Sequence, residues 1–201
     1  MPALQAAGGT AIVDVGSGGR RGFRLVVLAY VLGLVGLIAD QATKTLALAA
    51  LDPQRPPVLL GGLLTLQLTW NPGAAFSLGE GFTVVLACIA LAAFVFVGGY
   101  LIPRVRHGGW AVAEGFLLAG IGGNLGDRLF RPPGPFRGHV VDFLQLPNFA
   151  IFNVADMFIT GAAVLIVWFI LIKQVSPDGL SLIHISEPTR RTPISYAVFC
   201  L

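Results

Sequence analysis

The chain has 201 residues, of which 55% are apolar and 26 are glycine, while only 11% carry a charge. An average soluble domain has about 25% charged residues, so this composition excludes a soluble globular protein. Disordered chains and coiled coils are excluded as well, because both need more polar or charged residues. The formal net charge of +3 is small and scattered, which argues against a nucleic-acid partner. The composition therefore predicts an integral membrane protein.

The N-terminal segment is rich in glycine and alanine, ends in Arg20 and Arg21, and shows no strong apolar periodicity. We expect residues 1–22 to form a flexible cytoplasmic arm ahead of the first apolar segment. Such a basic flank also helps to fix the orientation of a membrane protein.

Four apolar segments follow, each close to the ~20 residues that a helix needs to cross the hydrocarbon core. They cover about residues 23–39, 82–102, 110–126 and 152–172, and the first continues as a helix towards Leu51. The link at 52–81 contains the alternating run LLTLQLTW among Pro and Gly, which favours strands over a helix. The sequence predicts an all-α membrane protein with four transmembrane helices and a small β-like element between helices 1 and 2.

Basic residues predict the orientation, because Lys and Arg are enriched on the cytoplasmic side of membrane proteins. The two sides differ modestly in this respect. One side carries Arg20, Arg21, Arg24, Arg104, Arg106 and Lys173, and the other carries Arg55, Arg128, Arg131 and Arg137. We therefore expect both termini to be cytoplasmic.

The C-terminal segment 180–201 reads LSLIHISEPTRRTPISYAVFCL and differs abruptly in composition from the rest of the chain. LSLIHISEPTR and ISYAVFCL resemble the in-frame translations of the two ends of a sequencing-library adapter, with a gap that fits an index between them. We expect residues 180–201 to be a non-native tail and residues 23–179 to be the membrane domain.

Four aspartates lie in or against the apolar segments, namely Asp40, Asp127, Asp142 and Asp156. With the N-terminus inside, alternating spans bring all four to the outer membrane boundary. A carboxylate at membrane depth costs about 2.5–3.5 kcal/mol on insertion scales, so a functional interpretation is the default.

Ion pairing is the structural alternative for two of these aspartates. Lys44 follows Asp40 by one helical turn, and Arg128 is adjacent to Asp127. Asp142 and Asp156 lack such an obvious partner, although an aspartate that opens a helix can simply cap it. Two carboxyls held close together share a proton, as in an aspartic peptidase. No HExxH or Walker motif is present, so we expect neither a metal nor an organic cofactor.

Five sequence blocks occur in order along these segments: ADQATK, NPGAAFS, GGNLGDRL, GHVVDF and FNVAD. With them the chain resembles lipoprotein signal peptidase, or signal peptidase II, over about residues 23–176. The resemblance implies a catalytic pair, Asp142 and Asp156. It also implies a set of substrate-binding or site-supporting residues, which comprises Asp40, Lys44, Asn71, Gly73, Asn124, Asp127, Arg128, Asn153 and Ala155.

Members of that family are bacterial membrane aspartic peptidases that cut prolipoproteins just before a diacylglyceryl-modified cysteine. The resemblance thus implies a prolipoprotein substrate, a location in the bacterial inner membrane in contact with its lipid, and an active site at the outer face. It also matches residues 52–81 with an extracytoplasmic cradle. Pro72 stands where threonine is frequent, which stiffens the approach to Gly73.

Three alternatives remain open on the sequence. A small ion- or proton-coupled transporter also uses membrane carboxylates, but it would distribute them through the membrane depth. An assembly subunit held together by ion pairs would need Asp142 and Asp156 only for stability. An intramembrane protease of the presenilin type is disfavoured, because NLGD lacks the GxGD glycine.

Overall fold

The computed structural model describes residues 15–73 and 80–180, so the first 14 residues, positions 74–79 and the tail after residue 180 lie outside the described part. The described chain is mostly helical. Its helices are α1 (Val15–Ala50), α2 (Glu80–Phe96), α3 (Gly108–Phe130) and α4 (Val154–Val167). A π-helical turn at Val97–Leu101 extends α2, and another at Trp168–Lys173 extends α4.

Helix α1 begins at Val15, earlier than the first apolar segment, so residues 15–22 are helical rather than irregular. No apolar periodicity predicts this early start. A membrane helix can nevertheless continue past the apolar core, because its backbone hydrogen bonds are internal. Gly22 lies close to the Arg106 side chain, whose Nη1 would stand 3.3 Å from an added Cβ.

Three helical segments are long and apolar enough to cross a membrane: Gly19–Ala50, Phe82–Arg104 and Val154–Lys173. Helix α3 has 23 residues, but it is rich in glycine and carries Glu114, Asp127 and Arg128. Three of the four predicted spans therefore meet the length and hydropathy of a membrane helix. Spanning by α3 stays a prediction.

Helix α3 is the most buried of the four and packs mainly against α1 and α4. Glycine allows this close approach, since a Cβ on Gly115 would come within 2.8 Å of the Ala29 carbonyl oxygen. Towards the N-terminal end of α3, an apolar core joins Trp110 and Leu118 to Ala29 of α1 and Ile102. Large apolar side chains on the outer faces, such as Leu34 and Val35, are more than half exposed, as in a helix that faces lipid.

Two small antiparallel sheets lie beyond the ends of the helices. Strand β1 (Val58–Leu59) pairs with β2 (Leu64–Thr65), and β3 (Thr69–Asn71) pairs with β4 (Val140–Asp142). The run LLTLQLTW thus forms two short strands, in agreement with its alternation. The sequence did not predict that β3 pairs with the segment between α3 and α4. This pairing places Thr69 opposite Asp142 and Asn71 opposite Val140.

A second apolar cluster fixes the β3–β4 sheet on the end of α1. Val141 and Phe143 pack there against Ala47 and Leu68, and all four side chains are buried. Single bridges between Thr65 and Gln145 and between Leu144 and Phe152 continue the pairing on both sides. The backbone that carries Asp142 is therefore held from three directions.

Candidate active site

The first turn of α4 holds Asp156 through its N-cap residue, Asn153. The Asn153 side chain accepts a hydrogen bond from the Asp156 backbone N–H at 3.0 Å, and the Asp156 carboxylate accepts one from the Asn153 N–H at 3.1 Å. This reciprocal capping box satisfies two backbone donors that a helix start leaves free. Asp156 is thus a capping residue, but its other carboxylate oxygen points into the site.

Strand β4 ends with Asp142, whose side chain is buried beside the start of α4. Asn71 Nδ2 donates to its Oδ2 at 3.0 Å, and Asn153 Nδ2 donates to its Oδ1 at 2.6 Å. Burial raises the pKa of Asp142 to about 6, although the two amide donors act in the opposite direction. One residue, Asn153, therefore contacts both Asp142 and Asp156.

Asn124 of α3 contacts the start of α4 and the Lys44 side chain of α1. Its Nδ2 donates to Asp156 Oδ1 at 2.8 Å. Its Oδ1 accepts from Asn153 Nδ2 at 3.1 Å and from Lys44 Nζ at 3.0 Å. Because Lys44 and Asn153 occupy its oxygen, the Asn124 amide is oriented with its NH₂ group towards Asp156.

Lys44 is fully buried and lies between two buried carboxylates. Its Nζ is 2.9 Å from Asp40 Oδ2 and 2.8 Å from Asp127 Oδ2. The bond to Asn124 uses its third donor, so the ammonium group is saturated. The i,i+4 pair of Asp40 and Lys44 predicted from the sequence is thus present, but Lys44 also binds α3.

Asp40 and Asp127 each hold a backbone N–H of another element. Asp40 Oδ1 accepts from Ala155 N at 2.8 Å, which caps the first turn of α4. Asp127 Oδ2 accepts from Val141 N at 3.1 Å, in the strand residue just before Asp142. These two carboxylates therefore position the chain segments that carry Asp156 and Asp142.

Two polar residues of this network were missed by the sequence analysis. Arg131 Nε lies 2.6 Å from Asp127 Oδ1, and Gln41 Nε2 donates to both Asp40 and Asp127 at 3.2 Å. The i,i+4 spacing of Asp127 and Arg131 was a usable signal, whereas the adjacent Arg128 points to another side of the helix.

Arg128 lies on the side of α3 that faces Asp142 and Asp156. Its charge interacts with the carboxyls of Asp142, Asp127 and Asp156, and its Nη1 donates to the Asn124 carbonyl at 3.4 Å. Its buried Nε has no hydrogen-bond partner among the described residues. The guanidinium thus keeps a donor for a further acceptor in the site.

Small residues permit the close packing around these groups. Gly73 has a φ of +100°, donates its N–H to Asn71 Oδ1 at 2.8 Å, and would place an added Cβ 2.6 Å from Leu86 Cδ1. A larger residue than Ala155 would meet α3 at Gly123, where an added Cβ would lie 3.0 Å from the Ala155 Cβ. Glycine at position 73 thus lets Asn71 face Asp142.

The eleven residues predicted from the sequence therefore lie in one polar cluster. The cluster contains four carboxyls, from Asp40, Asp127, Asp142 and Asp156, and three cations, from Lys44, Arg128 and Arg131. With all four carboxyls ionised the cluster would carry one net negative charge, which a single bound proton neutralises. Such an arrangement can hold one carboxyl protonated beside one ionised carboxylate, which suits general acid–base chemistry.

The apolar helices and this buried polar cluster define an integral membrane protein with an enzyme-like site. A solved bacterial membrane enzyme has the same fold, with a TM-score of 0.64 and 25% identity over 72% of this chain and 92% of that chain. The family model of signal peptidase (SPase) II matches residues 32–172. The chain therefore belongs to the signal peptidase II family, and it is a bacterial membrane protease.

Curated relatives agree with this assignment. The lipoprotein signal peptidase of Streptomyces griseus is 39% identical over 173 residues, which cover 86% of this chain and 87% of the relative. That of Rhodococcus jostii is 44% identical over 154 residues, or 76% of each chain. That of Mycobacterium tuberculosis is 43% identical over 136 residues, which cover 68% of this chain and 67% of the relative. None of these findings supports the transporter alternative.

Proposed function

We propose that this protein is an aspartic endopeptidase that removes signal peptides from prolipoproteins, cleaving just before the diacylglyceryl-modified cysteine. Its family and the names of its relatives support the substrate class. The observation that carries the aspartic mechanism is the double role of Asn153, which donates to Asp142 from its side chain and to Asp156 from its backbone. Asn153 thereby fixes the positions of the two carboxyls relative to each other.

Asp142 holds the shared proton and Asp156 is the base. Burial raises the pKa of Asp142 to about 6, which favours its protonated form. Asp156 takes a proton from a water molecule, whose oxygen attacks the scissile carbonyl carbon, while Asp142 gives its proton to the carbonyl oxygen. These two steps give a tetrahedral gem-diol intermediate. When it collapses, the C–N bond breaks, Asp156 protonates the leaving amine, and Asp142 recovers its proton from a hydroxyl of the diol.

The surrounding polar residues position this pair and the substrate. Asp40 and Asp127, held by Lys44, fix the backbone next to Asp156 and Asp142. Asn71 and Asn124 orient one carboxyl each. Arg128, which has a free donor, binds a carbonyl of the substrate chain. No step of this mechanism requires a metal ion or an organic cofactor.

We also propose that all four helices span the inner membrane and that strands β1–β4 form an extracytoplasmic cradle for the substrate. The site lies near the end of α3 and the start of α4, whereas Arg104 and Arg106 lie near the opposite end of the bundle. By the positive-inside rule this distribution supports cytoplasmic termini and a site at the outer face. The peptidase domain comprises residues 23–179, and residues 180–201 contribute nothing to activity.

Substitution of either aspartate tests the proposed chemistry. Asp142→Asn and Asp156→Asn preserve shape but remove the acid or the base, so processing is expected to fall by about a hundredfold to ten-thousandfold, the usual size of a general acid–base contribution. The measurement is the mobility shift of a diacylglyceryl-modified precursor on incubation with purified enzyme. Asp178→Asn, at an exposed aspartate, is the control and should process normally. Near-normal cleavage by either site variant would refute the mechanism.

A further inference from the structure

An apolar groove of about 520 Å³ lies between α1, α2 and α3. Leu37, Phe94, Leu125 and Leu129 line it, and Gln41 and Arg131 stand at its polar end. Gly126 forms part of the wall, and an added Cβ there would meet nothing closer than Gln41 Nε2 at 3.6 Å. The groove therefore combines an apolar wall with a polar end, as a site for an acyl chain with a polar head does.

Arg131 joins this groove to a second pocket. That pocket has about 530 Å³ and is lined by Trp70, His139, Leu48, Pro132 and Arg131 itself. The Arg131 side chain is 21% exposed, and its Nε and Nη2 bond to Asp127 and Gln41. Its Nη1 has no acceptor within the described residues, so it can donate to a ligand.

Both cavities lie on faces of α3 and of the β3–β4 sheet that point away from Asn124 and Asp142. Gly122, Leu125, Gly126 and Leu129 have the i, i+3, i+4, i+7 spacing of one helix face. Asn124 follows Gly122 by two residues and so lies on the opposite face of α3. In the β3–β4 sheet, Trp70 pairs with Val141 whereas Asp142 pairs with Thr69, so Trp70 and Asp142 point to opposite faces. The groove therefore lies on the opposite face of α3 from Asn124, and it meets the active-site network only through Gln41 and Arg131 at its polar end.

We propose that the groove and the pocket together bind one membrane phospholipid with an anionic headgroup. One acyl chain occupies the groove, the phosphate accepts from the Arg131 guanidinium, and the headgroup lies beside Trp70 and His139. A guanidinium matches the geometry of phosphate, and Trp is favoured at the headgroup level of a membrane. The diacylglyceryl group of a substrate carries no negative charge, so the Arg131 donor favours a phospholipid over the substrate's own lipid.

Lipid retention by the full-length protein tests this site without any reference to peptidase activity. The purified protein in detergent is titrated with phosphatidylglycerol, phosphatidylcholine or diacylglycerol of identical acyl chains, and bound lipid is counted by native mass spectrometry. We expect one phosphatidylglycerol per protein, bound about tenfold more tightly than diacylglycerol, which lacks the charge-assisted phosphate contact, and more tightly than phosphatidylcholine, whose choline cation cancels the phosphate charge. Equal retention of phosphatidylcholine would refute the anionic headgroup, and equal retention of diacylglycerol would assign the groove to the substrate's lipid.

Two variants locate the binding. Arg131→Gln removes the phosphate donor, and Gly126→Leu fills the groove while leaving Arg131 and its bond to Asp127 in place. Each should lose the preference for phosphatidylglycerol. Ala92→Leu fills a different lipid-facing groove, lined by Leu91, Val95 and Tyr100, which has no cationic side chain in its wall, and should keep the preference. Because Arg131→Gln also weakens a buried ion pair, Gly126→Leu decides the matter: a retained preference in that variant overturns the proposal.

Discussion

Towards its C-terminal end, α3 contributes Asn124 and Asp127 to a network in which every carboxylate has at least two donors. Towards its N-terminal end, Glu114 lies one turn from Trp110 and one turn from Leu118, which both belong to an apolar core. Glu114 is 2% exposed, and its Oε2 has no partner in the described part of the chain.

The difference shows that burial alone does not tell what a carboxyl does in this protein. The carboxyls near the C-terminal end of α3 accept hydrogen bonds from backbone N–H groups and share donors such as Lys44. Removal of one member of this network therefore leaves other members unpaired. Removal of Glu114 leaves no hydrogen-bond partner behind among the described residues. Unpaired buried charges are costly, whereas an apolar replacement of an isolated polar group can be neutral or favourable.

Lys44→Met should have the largest effect on stability. The substitution leaves Asp40 and Asp127 facing each other without their common cation, which is expected to cost about 3–5 kcal/mol of unfolding free energy. Thermal unfolding in detergent measures the loss, and precursor processing should fail with it. In an Asp40→Asn background the same substitution should cost less, because one carboxylate is already neutral. An unchanged melting temperature for Lys44→Met would mean that the network contributes no stability.

Methionine in place of the buried carboxyl near the N-terminal end of α3 should act in the opposite direction. Glu114→Met replaces a carboxyl that has an unpartnered oxygen by an apolar side chain of similar length, and we expect about 1 kcal/mol of stabilisation. Processing should stay at the wild-type rate. Glu114→Gln keeps the polar atoms and the shape, so its gain should be smaller. A loss of processing by a stable Glu114→Met protein would show that the comparison between the two ends is wrong.

Asn71→Ala should have the smallest effect, a change in pH dependence. The Asn71 amide stabilises the charged form of Asp142, so its removal should raise the pKa of Asp142, now about 6, by up to about 1. Since activity needs the protonated Asp142, the alkaline limb of kcat/KM should move to higher pH. The measurement is kcat/KM for the lipidated precursor between about pH 5 and 8.

Thr69→Val is the control for Asn71→Ala, because Thr69 lies on the same strand opposite Asp142 without a side-chain bond to it. Its pH profile should match that of the wild type. A shift of the alkaline limb to lower pH in Asn71→Ala would contradict the assigned roles.

The raised pKa of Asp142 has a consequence for stability as well. Asp142 favours folding most below its ordinary pKa of 3.8, and this contribution is lost as the pH rises towards 6.

Much of the fold was predictable from the sequence because membrane helices follow from apolar length alone. The starts of α2, α3 and α4 lie within two residues of the predicted segments. Alternation of apolar and polar residues predicted strands in the link after α1. The pairing of β3 with β4 was not predictable, because it joins segments that are about 70 residues apart and depends on tertiary packing.

The sequence predicted eleven residues that lie in one polar cluster, but it missed Gln41 and Arg131, and among the contacts within the cluster it predicted only the Asp40–Lys44 pair. Motif blocks and topology brought Asp142 and Asp156 to one end of the bundle. They could not show that Asn153 contacts both, since a cap and a tertiary hydrogen bond by the same side chain have no sequence signature. Asp127 was predicted beside Arg128, but its partners are Arg131 on the next turn and Lys44 from another helix.

The Asn153 bridge has a mechanical consequence. Helices adapt to bilayers of different thickness by changing their tilt, and tilt moves residues on separate helices relative to one another. Asn153, at the start of α4, bonds to both Asp142 and Asp156. Their separation therefore depends on this one residue and not on the angle at which two helices cross. The first turn of α4 is also bonded to Asp40 of α1 and Asn124 of α3, so a bilayer that thickens or thins can tilt the distant part of α4 while the two carboxyls keep their separation.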